Sequence, residues 1–522
     1  MATISIYDEV AFPSLPHTAS HPARLATMAQ LRGLATAPPA SCRVLELGCG
    51  AGGNLLPMAA TLPDSQFVGV DLSPQQIALA EQGARAAKLT NIQFAARDLL
   101  DFEPSAEPFD YIICHGVFSW TTEAVRSRIL AVCREWLAPR GLACVNYNTY
   151  PGWHMQAIVR DAIGLAARHL SDPAARVRAA RQTVELLLAT LPAEGIFSGW
   201  FRTELEAARR HSDAYLFHAY LNAVNEPFYL RDVAARAGQQ GLQYLGDAEP
   251  GTMWPGALAP GDVQLRAALT ALGAPAGCDD VAASAADFRG GALMYEQFHD
   301  FVEFRSTRRS LFCHADRVLS DFPTLDFTGL HLSAHLRRQL SPATGGTTWV
   351  AANGRSITAD EPRLLRLLEQ LAEAWPESRS WEWLTGQAGS SQPAPSPAVG
   401  WPEPWRDNLV RCFALGTIEL SVLPTPCSSG VSERPQASPL ARHQAQQQPL
   451  VTNLRHVAIR LEPWDREILR QLDGTRTINQ IERAIQSSGN GADTTTAIAR
   501  SLRHLAAQAL LLAVPAPAAS PA

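Results

Sequence analysis

A glycine-rich turn after a short apolar strand is the feature that most limits how this chain can fold. Residues 44–47 (VLEL) form an apolar run that is too short for a helix of its own, so they predict a buried parallel strand. Residues 48–53 (GCGAGG) follow, and their glycines allow a sharp turn and a close approach of backbone to ligand. A helix starting near Asn54 would direct free N–H groups and its positive end at that ligand.

An acidic residue follows the next predicted strand. The strand is predicted at residues 66–70, and Asp71 comes directly after it, about 18 residues beyond the glycine turn. A carboxylate in this position can accept hydrogen bonds from both hydroxyls of a ribose. The two features together predict a site for a nucleoside cofactor. Gly48, Gly50 and Gly53 also fit the dinucleotide fingerprint, which by itself is a weak signal, so a dinucleotide is an alternative ligand. A Rossmann domain without ligand is the remaining alternative.

Three further details favour S-adenosylmethionine over a dinucleotide. Glu46 lies inside the first strand, near the expected position of the methionine amino group, where dinucleotide-binding strands are usually apolar. A third strand leads to Asp98, which is placed for an adenine amino group, and a fourth (residues 109–113) runs into His115. This order of motifs resembles the class I S-adenosylmethionine-dependent methyltransferases.

Strands and helices alternate over residues 41–150, which predicts a Rossmann-like parallel sheet with ligands beyond the carboxyl ends of its strands. Residues 71, 98, 115 and 148–153 should therefore converge on one mouth. Residues 146–154 (NYNTYPGWH) leave a strand with amide, aromatic and imidazole side chains, and we interpret them as a functional wall of that mouth. Ordinary loop packing is the alternative for this segment.

Composition limits the class of protein. A length of 522 residues predicts several domains, and 46% hydrophobic with 18% charged residues predicts a folded chain. A net charge of −6 without a long basic block argues against nucleic acid as a partner. The nine cysteines lack metal-ligand spacing and predict buried thiols rather than a metal site. Because neither a secretion signal nor a long apolar run is visible, we expect a cytoplasmic protein without membrane insertion.

We expect an α/β fold: a Rossmann-like domain, then a mainly helical region, then small α+β units, the last of them like a winged helix. The expected divisions are a leader that is either a lid or a packing arm (1–40), a catalytic domain (41–155), a helical regulatory or dimerisation region (156–320), a middle α+β domain (321–423), a connecting segment (424–450), a winged-helix-like domain (451–512) and a disordered tail (513–522).

Two expectations concern the later segments. Residues 285–315 predict a helix that ends near Cys313, with Arg305, Arg308 and Arg309 on a face that is either ion-paired or open to an acidic partner. Residues 476–486 carry few base-reading side chains, so we expect the winged-helix unit to dock on protein rather than on DNA.

Several characteristic segments are distributed along nearly the whole chain, among them YDEVAFPS, HGVFSW, YNTYPGWHM, NEPFYL and VTNLRH. In combination they resemble bacterial methyltransferases that carry a methyltransferase regulatory domain, of which the rickettsial protein lysine methyltransferases acting on outer-membrane protein B are the best understood. That resemblance implies a dimerisation region and a protein acceptor. Phe12 is a departure from the pattern, because a tyrosine is expected there, and a hydroxyl contact at that point is therefore in doubt.

The resemblance also implies roles for individual residues. The residues expected to bind S-adenosylmethionine are Glu46, Gly48, Cys49, Gly50 and Gly52 at the methionine end, Asp71 with Leu72 at the ribose, Asp98 and Leu99 at the adenine, and His115. The residues expected from their position to face the methyl group are His115, Trp120, Tyr150 and Trp153.

Lysine methylation in a protein is the function that we expect, with the aromatic side chains lowering the pKa of the incoming amine by desolvation. His115, His154 or a bound water would then take the proton. One alternative is N- or O-methylation of a small molecule, and another is a cofactor-binding regulatory protein without turnover.

Overall fold

The structure is a computed structural model, and it describes residues 10, 12–103, 107–253, 290–319, 326–340, 347–386, 403–486 and 494–513. Cys278 and the tail beyond residue 513 lie outside this range. So do most of residues 387–404, whose Gln/Ser/Pro-rich composition predicts a linker. The eight cysteines within it are buried free thiols, which confirms the prediction for those residues.

A seven-stranded sheet holds the carboxyl ends of its parallel strands along one edge. Its strands are β1 (Arg43–Leu47), β2 (Gln66–Asp71), β3 (Ile92–Ala96), β4 (Phe109–Cys114), β5 (Leu137–Asn148), β6 (Leu242–Asp247) and β7 (Thr307–His314). Their order across the sheet is β3-β2-β1-β4-β5-β7-β6. Strand β1 pairs in parallel with β2 on one side and β4 on the other, which explains its continuous apolar run.

The sheet draws its last two strands from the region expected to be helical. β7 runs antiparallel between β5 and β6, so the sheet continues past the expected boundary at residue 155. The helix predicted for residues 285–315 is wrong in its second half, because it ends at Val302 and β7 follows. Residues 310–313 are buried between two neighbouring strands, and that tertiary pairing outweighs their helical spacing.

Helices cover both faces of the sheet and form a cluster beyond its edge. Those of the catalytic domain are α1 (Pro22–Leu31), α2 (Leu55–Thr61), α3 (Pro74–Ala86) and α4 (Glu123–Trp136). Those inserted between β5 and β7 are α5 (Gly152–Leu165), α6 (Pro173–Thr190), α7 (Ile196–Arg210), α8 (Asp213–Tyr220), α9 (Leu230–Gln239), α10 (Pro250–Met253) and α11 (Gly290–Val302). Within this insertion α5 to α8 share a hydrophobic core of their own.

The arginines near β7 are ion-paired. The fully buried Arg308 contacts Asp300 at 2.8 Å and Glu296 at 3.1 Å. Arg309 contacts Glu249 at 3.1 Å. The ion-paired alternative is therefore confirmed for these two residues.

The middle unit is small and mixed. Its elements are β8 (His331–Ser333), β9 (Leu336–Leu340), β10 (Thr347–Ala351), β11 (Ser356–Ala359), α12 (Pro362–Ala374), β12 (Arg379–Ser380), α13 (Trp381–Leu384), α14 (Glu403–Ala414) and β13 (Glu419–Ser421). Residues of α12 and α14 share one hydrophobic core with α1 and β1, so this unit packs directly on the catalytic domain.

The last unit begins inside the segment expected to be a connection. Its elements are α15 (Pro439–Gln447), β14 (Leu450–Thr452), β15 (Ala458–Arg460), α16 (Pro463–Gln471), α17 (Ile478–Gln486) and α18 (Thr494–Ala507). Leu440 of α15 packs with Leu56 and Ala84 of the catalytic domain. Among all the helices that the structure describes, none is long and apolar enough to cross a membrane.

Candidate active site

The glycine turn folds back on the end of β2. Gly48, Gly50 and Gly52 have φ values of +77°, +52° and +73°, a region in which a side chain is strained. The amide of Gly50 donates to Asp71 Oδ2 at 2.8 Å, and the amide of Ser73 donates to Oδ1 at 2.9 Å. These two bonds hold Asp71 in place at the end of β2, where a carboxylate can accept hydrogen bonds from ribose hydroxyls.

The adenine side is open. Leu72 is 54% exposed at the end of β2, and Asp98, also exposed, accepts a hydrogen bond from the amide of Leu100 at 3.0 Å. Leu99 is buried beneath them at 9% exposure. An apolar side chain beside a fixed carboxylate suits a flat ring with an exocyclic amine.

Glu46 forms the buried end of the site. It is 3% exposed, and its Oε1 accepts a hydrogen bond from Asn54 Nδ2 at 2.7 Å. Its Oε2 is buried and has no partner among the residues that the structure describes. Burial raises the pKa of Glu46 to about 8, an effect that Asn54 opposes and nearby Asp71 adds to. An ammonium group would satisfy Oε2, so the residues fit the methionine end of S-adenosylmethionine.

The leader crosses the glycine turn. Ser14 Oγ accepts a hydrogen bond from the amide of Gly53 at 2.7 Å, and a Cβ on Gly53 would lie 2.3 Å from the carbonyl oxygen of Ser14. The amide of His17 donates to Asn54 Oδ1 at 2.9 Å. Glycine at position 53 is therefore required for this close approach of two backbones.

Two imidazoles stack above the end of β4. The rings of His17 and His115 are 3.5 Å apart and nearly parallel. Burial, with smaller effects from His17 and Arg309, lowers the pKa of His115 well below its usual value. Its Nε2 is buried and makes no hydrogen bond to any described residue. His115 is thus a neutral ring at neutral pH.

A histidine from the last unit completes this group. His456, at the tip of the hairpin of β14 and β15, is 5% exposed, and its Nε2 lies 2.8 Å from Asn54 Oδ1. Sequence reasoning assigned no role to Ser14, His17 or His456, although Ser14 lies in the YDEVAFPS segment and His456 in the VTNLRH segment. No local pattern connects residue 456 to residue 54.

The segment after β5 forms an aromatic wall. The ring of Tyr150 stacks on that of His154 at 4.1 Å and lies 5.2 Å from that of Tyr229. Asn148 Nδ2 donates to Asn225 Oδ1 at 2.7 Å, which joins this wall to the loop before α9. Sequence reasoning also assigned no role to Tyr229, although it lies in the NEPFYL segment.

The two tryptophans lie together behind this wall. Trp120 meets Trp153 edge to face at 6.0 Å, and Trp153 is buried at 9% exposure. Arg160 lies over the ring of Trp120 at 5.8 Å. Trp153 therefore supports Trp120 and presents little surface of its own.

The expected convergence is visible in the strand register. β1 to β5 are parallel neighbours, so Asp71, Asp98, His115 and Asn148 all lie at or just beyond strand ends on one edge of the sheet. Among the described residues there is no group of three His, Cys, Asp or Glu side chains that could hold a metal ion. The chemistry that the site offers is binding, alignment and desolvation.

Comparison with known proteins agrees with this geometry. A methyltransferase domain matches residues 44–141, a predicted methyltransferase regulatory domain matches residues 212–276, and the C-terminal winged helix domain of PKMT matches residues 433–510. The uncharacterized protein RP789 of Rickettsia prowazekii is 28% identical over 492 residues, or 92% of this chain and 85% of RP789. A second protein of that organism, RP028, is 32% identical over 240 residues, or 46% of this chain and 96% of RP028.

One solved structure is similar over almost the whole chain. PKMT2 from Rickettsia typhi matches with a TM-score of 0.80 at 24% identity, covering 96% of this chain and 100% of PKMT2. PKMT2 has also been solved in complex with AdoHcy. The expected α/β fold with a winged-helix unit at its end is confirmed.

Proposed function

The chain belongs to the class I S-adenosylmethionine-dependent methyltransferases, and on that premise we propose that it methylates lysine side chains of a protein. The observation that carries the proposal is the aromatic wall of Tyr150, His154 and Tyr229 at the strand edge where the cofactor residues also lie. The match of the last unit to a PKMT winged helix domain supports a protein acceptor.

When bound, S-adenosylmethionine supplies a methyl group on a sulfonium whose sulfur leaves as a neutral thioether. The lone pair of the lysine Nζ forms the new C–N bond as the C–S bond breaks, so the amine must first lose its proton. Lysine has a reference pKa near 10.4, and the site has to lower it. Alignment and desolvation, rather than activation of the leaving group, are what the residues of this chain contribute.

The wall suits an amine that arrives charged. The faces of Tyr150 and Tyr229 attract an ammonium group. Burial raises the pKa of Tyr150, so its hydroxyl is a neutral hydrogen-bonding group and does not act as a base. Burial in this wall would lower the pKa of the amine itself.

The proton leaves through solvent in our proposal. The low pKa of His115 makes it a weak base, and its ring is stacked on His17. His154 is exposed at the outer side of the wall and can relay the proton to water. His115, Trp120, Tyr150 and Trp153 then shape the site around the transferred methyl group, with Trp153 acting through Trp120.

We also propose that the enzyme is a cytoplasmic homodimer joined through its inserted helices. Exposed apolar side chains on this cluster support the proposal: Ile158, Leu165, Leu186, Ile196 and Phe197. Phe197, at 77% exposure, is the side chain to change. If the cluster is the interface, Phe197→Asp gives a monomer by light scattering, and a dimer that persists in this variant contradicts the proposal.

The test of the acceptor uses tritiated S-adenosylmethionine with fractionated lysate of the host. Methyl-lysine recovered from a protein band after acid hydrolysis supports the proposal, while label found only in small molecules favours a metabolite acceptor. No label in either fraction favours the regulatory protein without turnover. Asp71→Ala should abolish labelling, and Asp64→Ala, an exposed carboxylate before the opposite end of β2, should not.

A further inference from the structure

The hairpin of the last unit contacts the hydrogen-bond chain that ends at Glu46. Asn54 Oδ1 lies 2.8 Å from His456 Nε2, and Asn54 Nδ2 lies 2.7 Å from Glu46 Oε1. His456 and Asn54 are 402 residues apart in the chain. The PKMT winged helix unit thus reaches the methionine end of the site.

The directions of these hydrogen bonds follow from one backbone amide. The N–H of His17 can only donate, and it lies 2.9 Å from Asn54 Oδ1, so this atom is the amide oxygen. The Nδ2 group of Asn54 therefore faces Glu46 and donates to it. His456 must carry its proton on Nε2, because its partner is the same oxygen, and so it donates as a neutral ring.

The hairpin turn is anchored from behind. Asn453 Oδ1 accepts from the amides of Arg455 at 3.0 Å and Val457 at 2.9 Å, and its Nδ2 donates to the carbonyl of Gln508. The turn holds His456 at a φ of +60°, a left-handed conformation that is unfavourable for a residue with a side chain. A conformation of this kind persists only where the surroundings enforce it.

The middle unit anchors the same turn. Arg455 donates to Ser333 Oγ at 2.8 Å and to the carbonyl of Pro376 at 2.9 Å, pairs with Glu419, and lies over the ring of Trp375 at 4.5 Å. Four separate contacts at one side chain leave the tip little freedom to move.

The leader is held by the same tip. Thr18 Oγ1 donates to the carbonyl of His456 at 2.9 Å, and the ring of His21 meets that of His456 edge to face at 5.2 Å. Asn54 therefore receives donors from the leader and from the hairpin on one oxygen, and both segments fix the direction of its amide.

We propose that His456 is a positioning residue for the cofactor. It holds the amide of Asn54 so that Glu46 turns Oε2, which has no partner in the described part of the chain, toward the amino group at the methionine end. The inference rests on the proposed placement of the methionine end at Glu46 and is independent of which acceptor is methylated. The winged-helix unit then makes the site selective for nucleosides that carry an amino acid.

Two ligands separate this role from a merely structural one. S-adenosylhomocysteine carries the amino acid, and 5′-methylthioadenosine has the same nucleoside and sulfur without it. In full-length His456→Ala, titration calorimetry should find S-adenosylhomocysteine bound about 10- to 100-fold more weakly, with 5′-methylthioadenosine unchanged within about twofold. The KM for S-adenosylmethionine should rise by a similar factor, while kcat at saturating cofactor stays within about twofold.

Two further substitutions, with side chains of similar length, test whether the hydrogen bond from position 456 is what matters. His456→Gln restores an N–H donor and should recover most of the affinity for S-adenosylhomocysteine, whereas His456→Met has no donor and should not. If His456→Ala does not fold, the comparison of the glutamine and methionine variants replaces it. His504→Ala is the matched control, because this half-exposed histidine of the same unit contacts Asp465, away from the site.

Several outcomes would overturn the proposal. Equal weakening of both ligands, no weakening of either, or failure of folded His456→Gln to recover affinity would each assign His456 a structural role only. Glu46→Ala with unchanged affinity for S-adenosylhomocysteine would overturn the placement of the methionine end itself. A failure to find methyl-lysine would leave these titrations unaffected, since no acceptor is present in them.

Discussion

The two ends of the proposed cofactor site are built in different ways. At the adenosine end, Asp71, Leu72 and Asp98 lie at or just after the ends of neighbouring strands and are at least partly open to solvent. Backbone amides close by in the chain donate to both carboxylates. At the methionine end, Glu46 is buried beneath segments from the leader and from the last unit. A class I sheet supplies the first end by itself, whereas the second needs almost the whole chain.

The largest expected effect comes from removing the buried charge. Glu46→Gln keeps the shape but leaves the ammonium group of the ligand without a counter-charge, and breaking a buried pair costs about 3–5 kcal/mol. We expect the affinity for S-adenosylhomocysteine to fall by at least about a hundredfold. Asp98→Asn, at the exposed end, should cost less than about fivefold. Equal losses of affinity in the two variants would contradict this difference between the two ends of the site.

The second effect tests whether the leader closes the methionine end. Gly53→Ala places a methyl group 2.3 Å from the carbonyl oxygen of Ser14, and since both partners are backbone the leader must move away. Hydrogen exchange of residues 12–21 should become faster, and cofactor affinity should fall about tenfold. Gly199→Ala is the control, because a Cβ there meets nothing within 4 Å.

The third effect is the number of protons released when a ligand binds, which should differ between the two ends. With its pKa raised to about 8, Glu46 is mostly protonated at pH 7 before an ammonium group arrives, and it ionises when that group binds. We expect the release of most of one proton per S-adenosylhomocysteine bound at pH 7. Calorimetry in buffers of different ionisation enthalpy measures this number. Glu46→Gln should reduce it to near zero, and 5′-methylthioadenosine should release none.

The smallest expected effect is on the stability of the fold at acidic pH. Burial lowers the pKa values of His17 and His21 to about 4, whereas the unfolded chain takes up these protons near pH 6.5. The stability from their neutral packing is therefore present above about pH 6.5 and lost as the pH falls toward 4. His17→Gln should lose less thermal stability between pH 7 and pH 5 than the unchanged protein. An identical loss in the two would mean that His17 does not titrate with unfolding.

The adenosine end could be predicted because its signals are local. Val44–Asp71 contains a strand, a turn, a helix and a second strand, and each is specified by residues close to it in the chain. β7 could not be predicted in the same way, because its residues form a strand only in pairing with β5 and β6. Residues 439–447 were likewise predicted as a connection, and they form a helix because Leu440 packs on α2 and α3.

Glu46 and the glycines were predicted at the methionine end, but the distant segments that enclose it were not, for the same physical reason at longer range. Asn54 was recognised as the start of a helix, but its side chain accepts no local capping bond and serves Glu46 and His456 instead. A buried polar group needs partners, and here those partners come from segments that no periodicity connects.

The contact of His456 with Asn54 also sets the order of events during synthesis. At about 5–20 residues per second, a ribosome reaches residue 456 roughly 20–80 s after residue 54, because 402 residues separate them. Until then the nascent chain has the strand edge proposed to bind adenosine but lacks the hairpin that contacts Asn54. Under the role proposed for His456, the growing polypeptide therefore binds S-adenosylmethionine weakly until this hairpin has been made.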